Sequence, residues 1–81
     1  MITVRIRERL ASDFAGASQA EATALVQRIP AELAAWSIVT ETDRVEAAAL
    51  ALAEGELARL REAIDLALRD WRDLLVAAGD A

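Results

Sequence analysis

The sequence predicts an all-α fold: a small helical bundle of four to five helices in one domain, 1–81, with a C-terminal helical hairpin at about 43–54 and 56–78. Three observations carry this expectation. Twenty of the 81 residues are alanine, which loses no side-chain entropy in a helix. Apolar residues recur at spacings of three and four along most of the chain. Two segments, Ser18–Glu21 and Asp43–Glu46, have the form of capping boxes, in which a short polar side chain satisfies a free amide and a glutamate reaches back. The 25 large apolar residues are enough for a core and too many for a disordered tail.

The first helix is read in ITVRIRERLASDFA. Ile6, Leu10 and Phe14 recur every four residues, Thr3 stands where an N-cap belongs, and Gly16 where a C′ residue belongs. A short strand at 2–6, where ITVRIR alternates, is the alternative. The second helix follows Ser18 and carries Ala22, Leu25, Val26 and Ile29 on one face. Pro30 lacks an amide and crowds residue 26, so a stop or kink is expected there, with Leu33 and Trp36 continuing the stripe. WSIVTET, 36–42, reads as a connector, with a short strand at 36–40 as the alternative.

The third long helix follows Asp43 and buries Val45, Ala48, Ala49 and Leu52; Gly55 ends or bends it. In the last, Leu57, Leu60, Ile64, Ala67, Trp71, Leu74 and Ala78 repeat at intervals of three and four over three heptads. Arg61, Asp65, Arg69 and Asp73 alternate in sign on the other side. Both patterns cross Asp70 in phase, so one helix over 56–78, stopped by Gly79, is expected. Trp71 then belongs to the core rather than to a recognition motif.

Residues 43–81, DRVEAAALALAEGELARLREAIDLALRDWRDLLVAAGDA, resemble the C-terminal part of a group of small uncharacterised bacterial all-helical proteins. Their endings are similar to D-W-R-D-L-L-V-A-A-G followed by an apolar residue and alanine. The resemblance covers about half of the chain and is most specific at Asp43-Arg44-Val45, Gly55 and Asp70 to Gly79. Asp80 departs from the pattern. The resemblance implies a helical, bacterial, cytoplasmic protein and carries over no catalytic residue.

Composition restricts the chemistry. There is no histidine, cysteine or lysine; all nine basic residues are arginine. That removes Ser-His and Cys-His nucleophiles, ordinary zinc sites, Schiff bases and the phosphate-loop lysine. No catalytic residue, cofactor or metal ligand is expected. Carboxylate chemistry remains: Glu62/Asp65 and Asp70/Asp73 are helical acidic pairs of the kind that hold Mg²⁺ in some all-α nucleotide hydrolases, though such sites need two facing pairs. A net charge of −5 argues against nucleic acid as a partner, Arg5, Arg7 and Arg9 notwithstanding. The longest apolar run, 47–53, is too short to cross a bilayer. MITVRIRERL scatters charge where a signal peptide needs apolar residues, so a cytoplasmic location without membrane partners is expected.

Leu50, Leu66 and Val76 fall off the expected core stripes. Helices apolar on two sides have neighbours on two sides, so these three are the candidate interface of a homodimer. A second subunit would also compensate for the missing disulfides, because a chain this short buries only about 60% of its unfolded surface. The expected function is therefore a non-enzymatic interaction or accessory protein working through helix–helix contacts. The alternatives are a Mg²⁺-dependent all-α nucleotide hydrolase and an acidic antitoxin-like or immunity-like protein partner.

Overall fold

A computed structural model describes residues 3–35 and 42–79. Among them lie six helical segments and no strand: α1 (Val4–Asp13), α2 (Ala17–Val26), α3 (Arg28–Ala35), α4 (Thr42–Ala53), α5 (Leu57–Arg69) and α6 (Trp71–Ala77). Gln27 alone separates α2 from α3, so these two form one bent body and the bundle has five. No helix among the described residues is long and apolar enough to cross a membrane.

The Thr3 hydroxyl caps α1 by accepting from the Ile6 amide at 3.3 Å. The four-residue apolar spacing then works as expected, and Ile6, Leu10 and Phe14 are all buried. Burial of side chains this size is worth roughly 1.5–3 kcal/mol each. The strand alternative at 2–6 gives way to helix from Val4 onward; that at 36–40 lies outside the described residues.

Two caps differ from expectation. Gly16 does not finish α1. At φ +58 it is the N-cap of α2, and the Ser18 and Gln19 amides bond to the Ala15 and Gly16 carbonyls at 3.2 and 3.1 Å. Helix α2 thus starts before Ser18, which leaves that serine no cap to make, and Glu21 instead forms an ion pair with Arg61 of α5. The break between α2 and α3 falls at Gln27, just after the residue that Pro30 crowds. Pro30 itself sits in the first turn of α3, where its missing amide costs nothing. Val26, Ile29 and Leu33 stay on one buried face across the bend.

Helix α4 runs through the centre, packed against α1, α3, α5 and α6. Its buried arc is accordingly wide: Val45, Glu46, Ala48, Ala49, Leu50 and Ala53. The chain then reverses through two left-handed residues, Glu54 at φ +51 and Gly55 at φ +78. Glycine is required at 55 twice over, because a Cβ there would also stand 3.2 Å from the Asp13 carbonyl oxygen. Arg59 spans the turn outside, pairing with Glu54 at 3.1 Å and Glu56 at 3.2 Å. Exposed pairs of this kind add about 1 kcal/mol at most.

The hairpin is present, but its second arm is not one rod over 56–78. Asp70, at φ −157 and ψ 98, ends α5 and caps α6, its carboxylate accepting from the Arg72 amide at 3.1 Å. An unbroken helix would give that amide to the Leu68 carbonyl. Aspartate is among the best N-cap residues because its short carboxylate competes with the backbone for such amides. The heptad survives the break because α6 returns Leu74 and Leu75 to the core, with Trp71 half-buried against it. Gly79, at φ +76, follows the last turn as expected.

Candidate functional site

The three residues expected to face outward have different fates. Leu50 is 0% exposed and belongs to the core, which corrects its place in an interface. The physical reason is the central position of α4: neighbours on both sides bury an arc much wider than a single stripe. Leu66 is half-buried, and Val76 is 65% exposed. Leu52, expected inside, is only half-buried. Leu52 and Leu66, with Ala63, Arg59 and Glu62, line an open cleft of about 270 Å³ between α4 and α5. Three of its five lining residues are apolar, and its charged residues, one of each sign, stand one turn apart on α5.

A second cleft, about 410 Å³, lies between α1 and α4. Arg5, Ile6 and Arg9 enter it from α1, Asp43, Arg44, Ala47, Ala48 and Ala51 from α4, and Ala78 from the end of α6. Arg5 and Arg9 share a face because they are four residues apart. Arg9 is held by a hydrogen bond from its Nε to Asp13 at 3.2 Å. Arg44 was not grouped with them by sequence, since nothing in a local pattern tells which helix will cross α1. Arg7 points elsewhere on α1 and does not line the cleft.

Acidic residues do not converge. Glu62 and Asp65 are both exposed on α5. Asp70 and Asp73 are split by the helix break, with Asp70 engaged as a cap. Among the described residues, no group of three or more His, Cys, Asp or Glu side chains is placed to hold a metal ion.

One acid has an unusual position. Glu46 is 0% exposed, and neither carboxylate oxygen has a hydrogen-bond partner. Burial pushes its carboxyl up to about 7; the positive chain amino terminus opposes the rise, and Asp43 adds to it. The capping-box reading of Asp43–Glu46 placed this side chain at a helix end. The missed signal is that Glu46, Leu50 and Ala53 recur at i, i+4 and i+7, a core stripe containing one acid.

Compared with protein-family models, curated proteins and solved structures, the chain matches none.

Proposed function

We propose that the protein is a non-enzymatic cytoplasmic interaction module that self-associates through the outer face of the α4–α5 hairpin. The observation that carries this reading is the apolar cleft formed by Leu52, Ala63 and Leu66 between Arg59 and Glu62. A two-fold axis makes such a patch self-complementary, because every residue of one copy meets its counterpart's neighbour. Leu66 then enters the cleft of the second copy, and Arg59 of each copy lies opposite Glu62 of the other. The pairs of Arg59 with Glu54 and Glu56 are exposed and weak enough to rearrange. Composition supports the non-enzymatic part, since histidine, cysteine and lysine are all missing.

Sedimentation velocity over a concentration series tests this reading. Wild type is expected to be a dimer, and Leu66→Glu a monomer with unchanged helical circular dichroism. Wild type sedimenting as a monomer, or the variant remaining a dimer, would remove the hairpin face as the interface.

A further inference from the structure

We infer that α1 is a proton-linked lid over Glu46: protonation of the carboxyl holds it closed on α4, and ionisation raises the population of a form in which it is open. The inference begins with an uncompensated burial. Glu46 is 0% exposed, and neither carboxylate oxygen has a hydrogen-bond partner among the described residues. A neutral carboxyl without partners is costly to bury, and a carboxylate is far costlier. Ionisation therefore favours any form of the chain in which this group meets water. Burial pushes the carboxyl up to about 7, which puts the change of state near neutrality.

Position points to the moving part. Glu46 stands one turn after Asp43 and next to Ala47, and both of these line the cleft between α4 and α1. Solvent thus comes within one helical turn of the buried carboxyl on the side of α1. The charges that act on the group are those of the chain amino terminus, ahead of α1, and of Asp43. Arg5 and Arg9 of α1 are exposed, and Arg9 is paired with Asp13; Arg44 of α4 is exposed and has an interaction of its own. From the other helices packed on α4, the charged residues are Arg28 and Glu32 of α3, Arg59, Arg61, Glu62, Asp65 and Arg69 of α5, and Arg72 and Asp73 of α6. All are exposed except the half-buried Glu32, and none bonds to Glu46. Helix α1 connects onward through Phe14, Ala15 and Gly16, and Gly16 at φ +58 has the backbone freedom a hinge needs. Opening uncovers Ile6, Leu10 and Phe14, so the open form is a minority whose share ionisation raises. At 10 residues α1 is too short to persist as a helix once undocked, so opening also melts it. The lid does not depend on the self-association proposed above.

Amide hydrogen exchange followed by NMR on the full chain tests this, with rates corrected for the intrinsic pH dependence of exchange. The Leu10 and Phe14 amides are expected to be less protected than those of Ile64 and Ala67 in α5 at every pH. Protection in α1 is expected to fall roughly seventyfold from pH 5 to pH 8, the factor set by a carboxyl that moves from about 7 when closed to 4.5 when open. In Glu46→Gln and in Glu46→Leu it is expected to stay constant over that range. Equal protection of α1 and α5 would overturn the inference, because Glu46 would then meet water only when the whole bundle unfolds. So would lowest protection in α3 or α6 instead of α1, protection in α1 that ignores pH, or a pH dependence that survives in both variants.

Discussion

The two flanks of α4 differ in kind. On one side a leucine of α4 meets a leucine of α5 across an apolar cleft; on the other, alanines of α4 lie beneath three arginines. One helix serves both because its residues are sorted by size as well as polarity. Leu52 gives the α5-side cleft a large apolar wall, whereas Ala47 and Ala51 give the α1-side cleft small ones. The helix also carries a fully buried arc, with Leu50 and Glu46 in it. The contrast teaches that, in an alanine-rich helix, the few large residues decide where surfaces protrude and the alanines decide where they recede.

The comparison is broken most severely from within. Leu50→Ala is expected to cost about 2–5 kcal/mol in urea unfolding, because it leaves a cavity in the core that supports both clefts. Leu52→Ala, only two residues away but half-exposed, is expected to cost about 1 kcal/mol and to spare the arginine cleft. Equal costs would mean that the two leucines are not divided between core and surface.

Glu46 gives the next effect, and its sign is opposite. Its folded-state pKa, about 7, lies above the ordinary 4.5, so the folded chain holds the proton more tightly than the unfolded chain does. Stability from this group is complete below pH 4.5, falls as pH rises through the window from 4.5 to 7, and is flat above it. The loss is on the order of 3 kcal/mol. Glu46→Leu is expected to abolish that slope and to be more stable than wild type at pH 8 by a similar amount. A pH profile parallel to that of wild type would contradict the burial of the carboxylate.

Asp70→Ala sharpens the comparison most gently. Loss of an N-cap costs about 1 kcal/mol. Because α6 returns Leu74 and Leu75 to the core, this variant is expected to lower the urea midpoint while leaving the sedimentation of the dimer unchanged.

Much of this architecture is legible in the sequence. The four-residue spacing of Ile6, Leu10 and Phe14, the turn at Gly55 and the hairpin around it follow from periodicity and backbone stereochemistry alone. What is not legible depends on neighbours. Leu50 falls off the stripe of Val45 and Leu52, and it is buried because α4 packs against α1, α3, α5 and α6 together. Asp70 can either cap a helix or lie within one, and an in-phase heptad hides the choice because the break preserves the buried face. Ser18 and Glu21 match a capping box in spelling, but Gly16 begins the helix earlier. For the site, Leu66 and the pair Arg5 and Arg9 are visible in local patterns. Arg44 joins them only through the crossing of α1 and α4.

The place of the self-association face is tested most directly by recording amide spectra over a dilution series. Dilution is expected to move the amides of Leu52, Ala63 and Leu66 and to leave Arg5, Ala47 and Ala51 in place. If dilution moves none of the hairpin amides, or moves only those of Arg5, Ala47 and Ala51, the outer face of the α4–α5 hairpin is not where the chain self-associates.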